Sequence, residues 1–126
     1  MIFMREETVQ YFSEKEEEFA TLLIETGLKK NIAKTLVFLA STAEANSRAI
    51  ERGTDMSQPE ISLAMKYLVD QGWIGCRESP SEKKGRPTIT YELAKPITEI
   101  VDYIEKEKKN DANNQLALIR KLRDFL

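Results

Sequence analysis

The chain of 126 residues contains no histidine and a single cysteine, Cys76. Without histidine it lacks the commonest general base and the commonest metal ligand at neutral pH. A zinc site would have to be built from one thiolate and carboxylates, so neither a metal nor another cofactor is expected. One cysteine rules out an internal disulfide and fits a reducing, cytoplasmic compartment. No apolar run reaches ~18 residues, the length a membrane-spanning helix needs, so no membrane association is expected. The opening MIFMREETVQ has no basic segment followed by an apolar one, and so does not read as a secretory signal. There is no P-loop, no GxGxxG and no nucleophile elbow, and no histidine to partner a serine or the cysteine. An enzyme is therefore the least expected class.

Hydrophobic residues make up 41% of the chain and charged residues 32%, enough apolar material for one modest core. The net charge of −2 is unevenly spread. Residues 1–27 carry two basic and seven acidic side chains, residues 28–95 eleven and eight, and residues 96–126 six of each. Only the middle is basic. That pattern suits local contact with an anion by a protein that does not coat every polyanion.

Helical spacing runs through most of the chain. Ser13 and Glu16 form a capping-box pattern ahead of a helix over 14–26, with Phe19, Leu22 and Leu23 on one face and Gly27 as its stop. Residues 4–12 either form a separate helix or continue this one. A second helix covers 29–41, where Ile32, Leu36 and Leu39 recur at helical spacing. The segment SRAIERGT reads as a short helix, TDM as a tight turn, and SQPEISLAMKYLVDQ as the next helix, with Ile61, Met65, Leu68 and Val69 as its buried stripe. WIGCRE and TITYEL read as strands, the second from its alternation of Ile89, Tyr91 and Leu93 with polar residues. The polar loop between them makes a hairpin with a charged tip. Pro96 opens a helix carrying Ile97, Ile100, Val101 and Ile104. The polar stretch KEKKNDANNQ follows, and Leu118, Ile119, Leu122, Phe125 and Leu126 then resume the periodicity. A seven-residue register links Ile97 to Phe125, which allows one long helix. Asn110–Asp111 as a cap pair and Asn113–Asn114 as weak helix formers favour two helices with a break near Asn110.

The start of the fourth helix is unusually well specified. With Ser57 as N-cap, Pro59 falls at the second helical position, where a missing N–H costs little. The Ser57 hydroxyl is thereby directed to the Glu60 N–H, and Met56 can staple against Ile61. With Ile61, Met65 and Leu68 inward, Gln58, Pro59, Ser62, Leu63 and Lys66 face out. Gln pairs bidentately with adenine, Ser serves several bases, an apolar surface meets a thymine methyl, and Lys reaches phosphate or guanine. Lys83, Lys84 and Arg86 at the hairpin tip can lie on the DNA backbone or enter the minor groove. Arg48 and Arg52 on the short helix are candidate phosphate clamps.

Helix, helix, short helix, turn, helix, hairpin, helix is the order of a winged helix-turn-helix domain. GLKKNIAKTLVFLA, SRAIERGTDMSQPEISLAMKYLVDQGWI and KKGRPTITYEL together resemble the winged-helix transcriptional regulators of prokaryotes. The likeness is to MarR/TrmB-like regulators, especially archaeal ones whose recognition helix starts RQPE or SQPE, and the end of the wing also resembles the PadR group. It covers residues 27–95. The resemblance implies a homodimer on a palindromic or pseudo-palindromic double-stranded DNA operator. One departure is Glu51, where a helix-turn-helix usually packs a small Ala. Glu51 is placed either to cap the next helix or to pair with an arginine.

The expected organisation is an N-terminal helical extension (1–27), a DNA-binding winged helix (28–95) and a C-terminal helical dimerisation region (96–126). The dimer contacts are expected from Ile97, Ile100, Val101, Ile104, Leu118, Leu122 and Phe125, together with the N-terminal helix. Trp73 is expected in the core at the start of the first strand, and Cys76 as a small half-buried hydrophobe rather than a redox sensor. Two other functions remain open: a winged-helix protein-interaction module without sequence-specific DNA binding, and a sensor with a small-molecule effector held between dimer helices. The sequence marks no pocket for such an effector.

Overall fold

The computed structural model describes residues 12–79 and 88–126. It divides into two units, Met1–Lys95 and Pro96–Leu126. Within the first, α1 (Glu14–Glu25), α2 (Lys30–Ser41), α3 (Ser47–Thr54) and α4 (Gln58–Asp70) precede the antiparallel strands β1 (Ile74–Ser79) and β2 (Thr88–Leu93). The segment joining the strands, with the candidates Lys83, Lys84 and Arg86, lies outside the described residues, as do most of residues 4–12.

Helix α2 is the centre of the first unit. It buries Ile32, Ala33 and every residue from Thr35 to Leu39, and it packs against α1, α3, α4 and β2. A helix apolar around most of its circumference must be covered on most sides. Its Leu36 and Phe38 are fully buried, as are Ile50, Ile61 and Leu68 on neighbouring helices. Two Schellman closures set the exits of its neighbours. Gly27 (φ 117°) donates to the Ile24 carbonyl and ends α1, and Gly72 (φ 78°) donates to Val69 and ends α4. Both positions need a positive φ, which glycine supplies without strain. Immediately after Gly72, Trp73 donates its N–H to the Leu68 carbonyl at 3.1 Å and is 4% exposed. Its ring meets Tyr67 edge-on at 6.2 Å, so the start of β1 is anchored to α4.

The strands pair Ile74 with Leu93, Cys76 with Tyr91 and Glu78 with Ile89. On its other side β2 bridges Ala45, through Ala45 N–H to Tyr91 O at 3.0 Å and Tyr91 N–H to Ala45 O at 2.8 Å. The loop before α3 therefore closes one side of β2 and leaves β1 as the edge. Cys76 on this edge strand is exposed, contrary to the half-buried place expected for it. Two further apolar positions also face out. Val69 is 40% exposed, and Ala64 takes its place in the buried stripe of α4. Leu22 is 57% exposed, while Ala20 and Leu23 carry the buried face of α1.

The second unit is a single helix, α5 (Ile97–Arg123). The break expected near Asn110 is absent. Asn costs only a few tenths of a kcal/mol in a helix interior, whereas ending and restarting a helix incurs a fresh nucleation cost. The polar middle otherwise consists of good helix formers, and Lys109 pairs with Glu105 one turn back at 3.3 Å. Arg120, Lys121 and Arg123 occupy the last turn, where cations suit the helix dipole.

Mostly helical, with one two-stranded hairpin following a helix-turn-helix, the chain has the winged helix-turn-helix architecture.

Candidate nucleic-acid interface

The entry to α4 is built as its sequence dictates. The Ser57 hydroxyl accepts from the Glu60 N–H (3.4 Å), and the Glu60 carboxylate accepts from the Ser57 N–H (2.9 Å). These bonds hold the Glu60 carboxyl below its ordinary pKa, the backbone N–H of Ser57 contributing most. Met56 and Ile61, the two ends of the staple, are both buried. The turn from α3 is closed by Asp55 in the left-handed region (φ 58°, ψ 40°), its N–H bonded to the Glu51 carbonyl at 2.9 Å. From the other side, Asn31 at the start of α2 donates its side-chain amide to the Glu60 carbonyl at 2.9 Å. The first turn of α4 is thus fixed from three directions while its outer face stays open.

On that face Pro59, Ser62 and Lys66 are exposed and Leu63 is 68% exposed. Arg48 and Arg52, one turn apart on α3, are exposed as well. Arg48 lines a shallow cleft of about 380 Å³ with Asn46, Ser47, Thr88, Ile89 and Tyr91. The first turn of α3 therefore sits beside the start of β2. Asn46 caps that turn by accepting from the Ala49 N–H at 2.9 Å.

Gln58 behaves differently from the other outward candidates. It is only half-buried, but its amide is already engaged. Nε2 donates to the Glu51 carboxylate at 2.8 Å and to the Ser47 carbonyl at 3.4 Å, both on α3. Among the described residues Glu51 neither caps α4 through its backbone nor pairs with an arginine. It holds the first residue of α4 instead. Sequence reasoning singled out both residues but did not join them. The signal was their separation of seven residues across a tight turn, which brings the last turns of α3 next to the start of α4. Away from this face, Arg77 on β1 forms an ion pair with Glu44 and so is not a free cation.

The apolar candidates on α5 and just past its end fall into two groups. Ile100 is fully buried, and Ile97 and Ile104 are half-buried. Val101 is 40%, Leu118 53%, Leu122 65% and Phe125 88% exposed, and Leu116 and Ile119 share that exposure.

No family model matches the chain, and no curated protein does. Solved structures do resemble it. The transcriptional regulator PA4135 aligns with a TM-score of 0.51 at 14% identity, over 90% of each chain. Disulfide-formed AbfR aligns with a TM-score of 0.52 at 14% identity, over 83% of this chain and 80% of its own. Pex from Synechococcus sp. is 21% identical over 68% of this chain and 83% of its own, with a TM-score of 0.46. The first two share the fold of this chain.

Proposed function

We propose that the protein is a sequence-specific, double-stranded DNA-binding transcriptional regulator that acts as a homodimer, of the MarR/TrmB-like kind that its sequence resembles. The observation that carries the reading is the outer face of α4. Its N-terminal turn is fixed by a capping box, a staple and the Asn31 contact, yet Pro59, Ser62, Leu63 and Lys66 stay exposed. A helix whose entry is over-determined and whose polar side is left uncovered is suited to presenting side chains to base edges in a major groove. Arg48 and Arg52 supply flanking cations for phosphates, and Lys83, Lys84 and Arg86 of the wing are assigned to the backbone or minor groove. Fold likeness to PA4135, whose structure is described as that of a transcriptional regulator, agrees with this reading.

Dimerisation is assigned to the exposed apolar residues of α5. Val101, Leu118 and Leu122 recur along one helix about 40 Å long, with Phe125 just past its end, and such a set calls for a partner. Two copies would set their α4 helices in successive major grooves, roughly 34 Å apart.

The test is a mobility shift against genomic fragments over a series of salt concentrations. Binding is expected to fall steeply with salt, because phosphate contacts release counterions. Ser62→Ala and Lys66→Ala should weaken it, the first by relaxing sequence preference and the second more evenly across sequences. If the protein binds duplex no better than an acidic control and is instead recovered in a stable hetero-complex, it is a protein-interaction module.

A further inference from the structure

We infer that Glu51 is the positioning residue for base reading by Gln58, and that it turns this position from an adenine reader into a reader of the cytosine amino group. The inference rests on the DNA-binding reading above and deepens it.

Glutamine pairs bidentately with adenine by donating from Nε2 to N7 while accepting at Oε1 from the N6 amino group. That requires a free amide proton. Here Nε2 has two protons and two acceptors, the Glu51 carboxylate at 2.8 Å and the Ser47 carbonyl at 3.4 Å. The orientation of the amide follows from its partners. Both neighbours are acceptors without a proton to give, so only the nitrogen can face them. The bond to Glu51 is charge-assisted, which makes it the stronger of the two. Among the described residues Oε1 has no hydrogen-bond partner. Gln58 can then offer a base edge only acceptor lone pairs. In that state it resembles a carboxylate, the group that accepts from cytosine N4. Adenine is the poorer match, because its N7 would confront the same oxygen with a second acceptor. Glu51 itself contacts no base in this arrangement; it acts through Gln58.

Selection of bound duplexes from a random pool tests this, using full-length wild type, Gln58→Ala, Glu51→Ala and Glu51→Gln. Gln58→Ala identifies the operator position that it makes indifferent. Wild type is expected to select cytosine there. Glu51→Ala frees the amide and should shift the preference to adenine by about fivefold or more, the scale of one good base contact. Glu51→Gln keeps an acceptor oxygen and should retain cytosine. Both substitutions remove the same charge, so any uniform gain in affinity for all duplexes is common to them and cancels in the comparison. A DNA-free readout accompanies the selection: the Gln58 side-chain amide protons should exchange slowly in wild type and Glu51→Gln, and fast in Glu51→Ala.

Selection of adenine by wild type, or an equal change of preference in both Glu51 variants, overturns the role of Glu51 and leaves the regulator reading standing. Failure of wild type to enrich any sequence removes that reading, and the role of Glu51 falls with it.

Discussion

At the scale of single residues, the most informative side chains join one element to the next. Glu60 closes the capping box of α4, and its carboxyl is held below its ordinary pKa by the Ser57 N–H and hydroxyl. A carboxyl with a depressed folded-state pKa stabilises the fold above its unfolded pKa, and that stability is lost as pH falls through the folded value. Thermal melts from neutral pH downward should therefore show wild type more stable than Glu60→Gln at pH 7. The gap should close below about pH 4, where carboxylates take up protons. A gap independent of pH would mean that the charge of Glu60 does not matter to the cap. Asp55 makes a second case. It adopts φ 58° without being glycine, a conformation that costs most L-residues roughly 1–2 kcal/mol and Asp rather less. In urea unfolding, Asp55→Gly should raise the stability slightly, and Asp55→Val should lower it by about that 1–2 kcal/mol. A tolerated valine would mean that the turn between α3 and α4 can rearrange.

At the scale of elements, the parts legible in the sequence were those fixed by local chemistry. Both capping boxes, the burial of Met56 and Ile61, the glycine stops and the core place of Trp73 follow from short-range patterns, and the structure contains them. The misreadings share a different cause. The exposure of Cys76 depends on which face of the hairpin the rest of the fold covers, and no pattern within the strand records that. Val69 lies at the margin of its helix's apolar stripe, where periodicity alone cannot say whether a neighbour covers it. The Gln58–Glu51 bond crosses between helices and leaves no periodic trace. The break expected in α5 rested on Asn110–Asp111 as a cap pair and Asn113–Asn114 as weak helix formers, although their summed cost is smaller than that of a second helix nucleus. Proline discriminates between the two arrangements. At the first position of a new helix Asp111→Pro would cost little, but inside a continuous helix it costs about 3 kcal/mol. We expect Asp111→Pro to lower the helical circular dichroism signal and to weaken self-association. An unchanged spectrum would restore the two-helix reading.

At the scale of the whole molecule, the two proposals depend on each other. A single α4 offers few base contacts, and dimerisation doubles them while fixing their spacing. Leu122→Glu on α5, or Phe125→Glu just past its end, places a charge among the exposed apolar residues of this region and should convert dimer to monomer in sedimentation, with DNA affinity falling in step. Self-association that survives both substitutions would move the interface elsewhere. The central claim, that the outer face of α4 reads duplex DNA, is tested most directly by selecting bound duplexes from a random pool with wild type and with Ser62→Ala. Wild type should enrich one motif with two related half-sites about 10 base pairs apart, and Ser62→Ala should relax the preference at a position within each half-site. A pool that emerges as random as it entered, or a motif that the α4 substitution leaves untouched, would contradict it.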